Sequence, residues 1–285
     1  MDLLITVAGV ALIAVALRDI FQTLFHPTAH GAVGHQIVRG VWHVAHRFAR
    51  SSEDGPLYAG PLGYIAVLVS WTAMLVLGWA LIFLPQMPEG FTFAQGLEPS
   101  EHDSLVDAIY LSLVNLTSLG YGDISPATWS LRILGPIETI FGLALVTASI
   151  SWLLSIYGAL NRRETLAHEV HLLRGAEDRF EGSLAGVYPE MLEGMLASIT
   201  EQVIAARRDL IHLPITNYFQ SANERSYREE LRGFLRRVAA EAREERSPPS
   251  LRFRAESLSW ALDDLEETLR EERSPALVGP RRQDD

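Results

Sequence analysis

The segment from Thr117 to Asp123, which reads TSLGYGD, has residue types suited to binding a cation through the backbone. Gly120 and Gly122 flank Tyr121, and glycine readily adopts backbone angles that residues with a Cβ atom resist. Such angles allow consecutive carbonyl oxygens to point the same way. Because carbonyl oxygens can replace the water around a cation, the segment predicts an ion path lined by backbone carbonyls.

The residues before this segment predict a short helix that enters the membrane without crossing it. Ser104-Leu-Val-Asp107 fits a capping box, a common start of a helix. The apolar run from Leu105 to Leu116 has about a dozen residues, whereas a helix that crosses a bilayer needs roughly 20. We therefore expect a re-entrant half-helix.

Three long apolar stretches surround these elements. They run from Leu3 to Phe25, from Gly55 to Pro88 and from about Trp129 to Leu160. Each is long enough to cross a hydrocarbon core about 30 Å thick. The first could also be a signal peptide, but its start is not basic, and its continuous apolar run up to Leu17 is followed by Arg18-Asp19 instead of a small-residue cleavage site. The sequence therefore predicts three transmembrane helices.

Composition excludes several classes of protein. The chain has 285 residues, with 35 acidic residues and 24 basic residues, all of them arginine, and it has no cysteine. Without lysine there is no P-loop of the GxxxxGK[ST] type and no Schiff-base lysine, and without cysteine there is no thiol nucleophile. A formal charge of −11 argues against broad nucleic-acid binding. No triad or carboxylate pair has a persuasive setting, so we expect neither an enzyme nor a cofactor.

The arginines predict the orientation in the membrane, because basic loops stay on the cytoplasmic side. Three arginines lie between the first and second apolar stretches, and Arg162 and Arg163 follow the third. The segment 86–107 has five acidic residues and no arginine. We therefore expect a multi-pass protein of the cell membrane, with its amino terminus outside and its carboxyl-terminal domain in the cytoplasm.

From about Gly60 to Leu160, roughly a third of the chain, the sequence resembles the pore domain of potassium channels, whose filter signature is TVGYG. The order of outer helix, acidic loop, half-helix, GYGD and inner helix is the same. Ser118 stands where that family usually has threonine, and Leu119 stands where it usually has valine. The resemblance implies an all-α membrane protein with a tetrameric pore, because one chain supplies only one filter.

The resemblance also implies roles for individual residues. The selectivity filter would contain Thr117, Ser118, Leu119, Gly120, Tyr121 and Gly122, with K⁺ held at Ser118, Leu119, Gly120 and Tyr121. Asp123 would steady the outer mouth. Potassium is expected to be preferred over sodium, while Ser118 and Leu119 bear on the strength of that preference.

Several polar or small residues of the third stretch are further candidates. Gly142 occupies the family's hinge position, although a glycine in a membrane helix can equally serve close packing. Thr147, Ser151 and Ser155 recur every four residues and would either line the cavity or bond to their own helix. Glu138 is an intramembrane carboxylate and is therefore a candidate functional residue.

The carboxyl-terminal half predicts a helical domain. One apolar stripe contains Val187, Met191, Met195 and Ile199, and a second contains Tyr227, Leu231, Phe234, Val238 and Ala242. The third keeps heptad spacing through Leu251, Ala255, Leu258, Leu262, Leu265 and Leu269. Such a domain could organise the tetramer, take part in gating, or bind an unknown regulatory ligand or protein.

Five histidines, His26, His30, His35, His43 and His46, lie between the first two apolar stretches. Metal binding or proton sensing is one explanation. The alternative is that they decorate an amphipathic helix on the inner leaflet, whose apolar face contains Ile37, Val41, Trp42, Ala45 and Phe48.

The predicted organisation is therefore as follows: an N-terminal transmembrane helix 1–26, a cytoplasmic loop with an interfacial helix 27–60, a pore domain 61–160, a cytoplasmic helical domain 161–274 and a disordered tail 275–285. Within the pore domain we expect an outer helix 61–85, a turret 86–103, a pore helix 104–117, a filter 118–122 and an inner helix 129–160.

The sequence thus favours a homotetrameric potassium-selective channel in the lipid bilayer. A weakly selective cation channel is one alternative, and a non-conducting membrane scaffold or sensor acting through the helical domain is another.

Overall fold

A computed structural model of the chain describes residues 1–25, 36, 40, 59–180, 189–219 and 222–273. The five histidines, the expected interfacial helix and the expected tail 275–285 lie outside the described residues. The described helices are α1 (Asp2–Phe25), α2 (Ala59–Phe83), α3 (Leu105–Leu116), α4 (Trp129–Phe180), α5 (Pro189–His212), α6 (Ala222–Ala242) and α7 (Pro249–Arg273).

Three of these helices, α1, α2 and α4, are long and apolar enough to cross a membrane. α3 is a shorter apolar helix of 12 residues. The prediction of an all-α membrane protein with three long apolar helices and one short apolar helix between the second and the third is therefore confirmed.

The chain divides into two compact units. The first contains α1 and Leu62–Leu154, and the second contains the residues from Ser155 onward. In the first unit, α1 and α2 approach closely: a Cβ atom added to Gly9 would lie 2.5 Å from the Gly78 carbonyl oxygen. Small residues permit such close crossings of membrane helices.

A buried hydrogen bond also joins these two helices. The indole Nε1 of Trp71 donates to Asp19 Oδ2 at 2.8 Å. Both side chains are buried within the unit, Asp19 with 4% of its surface exposed and Trp71 with none. Asp19, one of the two charged residues that interrupt the first apolar stretch, therefore has a partner in the second stretch.

A two-stranded antiparallel sheet, absent from the sequence prediction, brackets the segment with the glycines. β1 (Phe91–Phe93) pairs with β2 (Ile124–Pro126) in the register Phe91↔Pro126, Thr92↔Ser125 and Phe93↔Ile124. With three residues in each strand, the sheet is too short to show a period in the sequence. It ties the loop after α2 to the residues that follow Asp123.

α4 continues 20 residues beyond the expected end of the inner helix at Leu160, to Phe180. The residues after Leu160 include many good helix formers and no proline, so nothing local stops the helix. The change from apolar to charged residues near Leu160 therefore indicates that the surroundings of α4 change from apolar to polar there, while the helix itself continues.

In the second unit, the helices share one hydrophobic core. It contains Val170 of α4 and the inward residues of α5, α6 and α7. The predicted stripes of α6 and α7 are confirmed from Leu231 and Leu251 onward, with Leu269 partly buried at the rim of the core. Tyr227 and Val187 lie where no side chain is described.

The predicted stripe of α5 is wrong by one position at its start. Met191 is 55% exposed, whereas the buried residues are Leu192, Leu196, Ile199, Val203, Ala206 and Leu210. Repeated steps of four residues drift around a helix with 3.6 residues per turn, and the mixed steps of four and three that begin at Leu192 stay on one face.

Candidate functional site

The short helix α3 begins at the predicted capping box. Ser104 Oγ accepts a hydrogen bond from the Asp107 N–H at 3.3 Å, and the Asp107 carboxylate accepts one from the Ser104 N–H at 3.2 Å. His102 Nδ1 lies 2.8 Å from Asp107 Oδ1. Burial alone would raise the pKa of Asp107, but hydrogen bonds from Ser104 and His102 outweigh it and hold that pKa below its usual value.

Asp107→Asn should lower the stability of the protein in detergent by about 1 kcal/mol at neutral pH, because it weakens this cap. A carboxylate with a lowered pKa contributes stability above its unfolded pKa and loses it as the pH falls through the folded pKa. The difference in Tm between wild type and variant should therefore shrink below about pH 4, in melts from pH 7 to pH 3. Asp103→Asn, at an exposed position, is the control, and a gap that persists unchanged to pH 3 would contradict the role of the carboxylate.

The backbone of the predicted filter is attached to the carboxyl end of α3. The Ser118 N–H donates to the Asn115 carbonyl at 3.0 Å. The Leu119 and Gly120 N–H groups both donate to the Val114 carbonyl, at 2.9 and 3.5 Å. Since these successive N–H groups face α3, the carbonyls of the same peptides face away from it.

Along this segment, the backbone angle φ alternates between positive and negative values. Ser118 and Gly120 both have a φ of +59°, and Gly122 has a φ of +75°, while Leu119 and Tyr121 between them are not in the positive region. Alternating left- and right-handed residues bring successive N–H groups to one side of the chain. A positive φ is uncommon for serine and costs of order 1 kcal/mol or more, so Ser118 holds local strain of the kind found at functional sites.

The predicted filter residues are thus placed together in one irregular segment. Thr117 caps α3, and its Oγ1 donates to the Leu113 carbonyl at 2.6 Å. Leu119 and Tyr121 are 53% and 67% exposed in the single chain. Among the described residues, none covers these two side chains fully.

Asp123 is held from two directions. Its Oδ2 accepts a hydrogen bond from Tyr110 Oη at 2.5 Å, and its carbonyl accepts one from the Ala94 N–H at 2.8 Å. The first contact joins it to α3 and the second to the residue after β1. Sequence reasoning did not single out Tyr110, because nothing in its spacing marks the side chain as a partner of Asp123.

Glu138 lies behind α3 with no exposed surface. Its Oε1 accepts a hydrogen bond from Ser112 Oγ at 2.5 Å, and its Oε2 accepts one from Asn115 Nδ2 at 3.1 Å. Ser112 is also fully buried. These contacts supply the partners that the sequence left unnamed, and they join α4 to the helix that holds the filter.

The contact between α4 and α3 continues at the residues of α4 that follow Glu138. Thr139 Oγ1 donates to the Asn115 carbonyl at 2.9 Å, the same carbonyl that accepts from Ser118. Gly142 is buried, and a Cβ atom added there would lie 1.9 Å from the Leu116 carbonyl oxygen. In this structure Gly142 serves close packing, and its action as a gating hinge stays a prediction.

The three candidate cavity residues are all exposed in the single chain. Thr147 Oγ1 donates to the Leu143 carbonyl of its own helix at 2.9 Å. This bond uses the hydroxyl hydrogen of Thr147 but leaves the lone pairs of its oxygen available to accept a hydrogen bond. Cavity lining by Thr147, Ser151 and Ser155 therefore remains a prediction.

Comparison with known proteins agrees with this geometry. Residues 69–157 match a family model described as an ion channel, a range that includes most of α2, all of α3, the segment 117–123 and the first part of α4. No solved structure matches the chain.

Curated relatives match over parts of their length. An uncharacterized membrane protein YdjJ of Bacillus subtilis is 28% identical over 165 residues, covering 58% of this chain and 47% of the relative. Potassium voltage-gated channel subfamily A member 10 of Gallus gallus is 30% identical over 93 residues, covering 32% of this chain and 18% of that protein. Member 4 of the same subfamily from Homo sapiens is 32% identical over 74 residues, covering 26% and 11%. The chain thus spans less than half the length of each of these relatives.

Proposed function

We propose that this chain, whose residues 69–157 match a family model described as an ion channel, forms a pore of the potassium-channel type and conducts K⁺ passively across the cell membrane. The observation that carries the proposal is the attachment of Ser118, Leu119 and Gly120 to the end of α3 through their N–H groups. These groups donate to the Val114 and Asn115 carbonyls, so the carbonyls of the same peptides, those of Thr117, Ser118 and Leu119, are directed to the opposite side. Carbonyls presented in this way can replace the hydration shell of a dehydrated cation.

Four copies of the chain are required by this mechanism. One segment supplies one strand of carbonyls, and a ring of carbonyls around an ion needs several. A homotetramer would surround each ion with the carbonyls of Ser118, Leu119, Gly120 and Tyr121, with the Ser118 hydroxyl at the innermost site. The exposure of Leu119 and Tyr121 supports contacts of this segment with neighbouring subunits.

Charge outside the filter supports cation entry. Glu89, Glu98, Glu101 and Asp103 are exposed in a loop that has no arginine between residues 86 and 107. A cluster of like charges at a pore mouth raises the local concentration of ions of the opposite charge. With the basic loops inside, we expect the loop, the filter mouth and the amino terminus to lie outside and the α5–α7 bundle to lie in the cytoplasm.

The cytoplasmic bundle would organise the tetramer or contribute to gating. Its core is continuous with α4, since Val170 of that helix belongs to it. A regulatory ligand or protein partner of this unit remains a proposal. No catalysed reaction and no cofactor are part of the mechanism.

Recording from reconstituted bilayers, with K⁺ on one side and Na⁺ on the other, tests the proposal. We expect single-channel currents whose reversal potential shifts strongly toward the K⁺ equilibrium potential. A reversal potential near zero would favour the weakly selective channel, for which the serine and leucine at positions 118 and 119 are the motivating observation. Absence of current from an intact oligomer would favour a scaffold or sensor.

A further inference from the structure

A cavity lies inside the helical bundle of the second unit, between α4, α5, α6 and α7. Its volume is about 80 Å³, which is room for roughly five to eight atoms other than hydrogen. Eleven of its fourteen lining residues are apolar. One from each helix, in chain order Val170, Val203, Leu235 and Leu262, is at most 3% exposed, so the walls of the cavity are part of the hydrophobic core.

The other three lining residues are arginines, Arg163, Arg228 and Arg232. Arg228 and Arg232 are one turn apart on α6 and therefore share a face of that helix. The charge of Arg228 also acts on Arg163, so these two guanidinium groups lie near each other. The arginines thus form a positively charged group on one side of an otherwise apolar cavity.

The described surroundings of these arginines contain more positive than negative charge. Of the described residues that line the cavity, none is acidic. The nearby buried carboxylate of Asp209 accepts two hydrogen bonds from Arg162, each at 2.8 Å. Glu229 Oε1 lies 3.9 Å from Arg232 Nη2, at the outer limit of an ion pair. An anion beside the cavity arginines would therefore improve the local balance of charge.

Apolar walls beside a group of arginines fit a ligand with two parts. A cavity with apolar walls binds apolar groups in preference to water. A guanidinium group binds a carboxylate through two parallel N–H···O bonds. A ligand that satisfies both parts of the cavity has an alkyl chain and one terminal carboxylate. The volume of the cavity limits the enclosed part of the chain to about five to eight carbons.

We propose that this cavity binds a medium-chain alkyl carboxylate, with the chain between the four helices and the carboxylate against Arg163, Arg228 and Arg232. Octanoate, whose chain has about the right length, is the matching probe. The inference gives a chemical class to the regulatory ligand considered for this unit. It goes beyond the proposed function and does not depend on conduction, so each can fail without the other.

Equilibrium dialysis of labelled octanoate against the full-length protein in lipid nanodiscs, with the uptake of empty nanodiscs subtracted, measures the binding. We expect saturable binding of one octanoate per chain. Octylammonium has the same chain with a positive head group and should bind at least about tenfold more weakly, because the arginines repel it. No saturable binding of octanoate, or equal binding of the two probes, would overturn the inference.

Chain length distinguishes a cavity of this size from the lipid bilayer. From butanoate to octanoate, Kd should fall about fourfold for each added methylene, as expected for burial of that group. Decanoate should bind no more than about twofold tighter than octanoate, because its chain exceeds the room in the cavity. A Kd that continues to fall at the same rate up to decanoate would contradict binding in this cavity.

A charge variant tests the arginines. Arg232→Gln should raise the Kd for octanoate about tenfold, as expected for the loss of one hydrogen bond between charged groups. Arg208→Gln, at an exposed position of α5 outside the cavity lining, is the matched control and should change Kd less than about twofold. Equal effects of the two changes would count against the site, because the arginines would then act only through the overall charge.

A cavity-filling variant covers the case in which Arg232→Gln does not fold. Ala206 lines the cavity from α5, and the larger side chain of Ala206→Leu fits within the available volume. We expect the Tm without ligand to equal or exceed that of wild type, as for other cavity-filling changes, while the Kd for octanoate rises at least about tenfold. An unchanged Kd in this folded variant would overturn the inference.

Discussion

Gly120→Ala should reduce the K⁺ current at least about tenfold and remove the preference for K⁺ over Na⁺. Gly120 has a φ of +59°, and a Cβ atom in that region costs of order 1–2 kcal/mol per residue. Nothing lies within 4 Å of the added Cβ in the single chain, so the cost is one of backbone conformation. The four strained segments of a tetramer would relieve it by rotating the peptide, which turns a carbonyl away from the ion. Reversal potentials in K⁺/Na⁺ bilayers measure the effect.

Gly96 offers a matched control in the same chain. It has a φ of +98° with nothing within 4 Å of an added Cβ, and it lies in the loop after β1. Gly96→Ala imposes a comparable backbone cost away from the filter, so its selectivity should equal that of wild type. If Gly120→Ala conducts with unchanged selectivity, the carbonyls around Gly120 do not form the ion path.

Gly142→Ala should prevent assembly or lower Tm by roughly 5–10 °C, as expected for an overpacked contact. The added Cβ would lie 1.9 Å from the Leu116 carbonyl oxygen, which belongs to backbone and cannot rotate away. α4 would have to separate from α3 at the turn that also contains the contacts of Glu138 and Thr139. Size-exclusion chromatography and melting in detergent would detect both outcomes.

Gly158→Ala, on the same helix, is the control for this change. Its added Cβ would meet only the Arg162 Nη1 at 3.5 Å, an ordinary contact, and alanine in place of glycine stabilises a helix by about 0.5–1 kcal/mol. We expect a Tm equal to or above that of wild type. Should Gly142→Ala prove as stable as Gly158→Ala while its open probability changes, a hinge would explain Gly142 better than packing.

Local signals made much of the pore predictable. The capping box at Ser104, the dozen apolar residues after it and the two glycines beside Tyr121 each act within a few residues of chain. The apolar stripe of α7 was equally predictable, because its heptad spacing keeps one face toward the core. These features follow from short-range rules that hold whatever the rest of the fold does.

Contacts between distant segments could not be predicted in this way. Glu138 meets Ser112 26 residues earlier, and which residues face each other depends on how α3 and α4 cross. The positive φ of Ser118 had no signal either, since serine rarely adopts it. Asn115 bonds to both Glu138 and Ser118, and nothing in its type or spacing marks it in the sequence as a partner of either.

The hydrogen bond between Asp19 and Trp71 also bears on how the protein is made. Asp19 leaves the ribosome 52 residues before its partner, a delay of about 3–10 s at ordinary rates of translation. A carboxylate in the apolar part of a bilayer costs a few kcal/mol, and the bond from Trp71 offsets part of that cost. We therefore expect α1 to integrate into the bilayer less completely on its own than together with α2, which brings the indole.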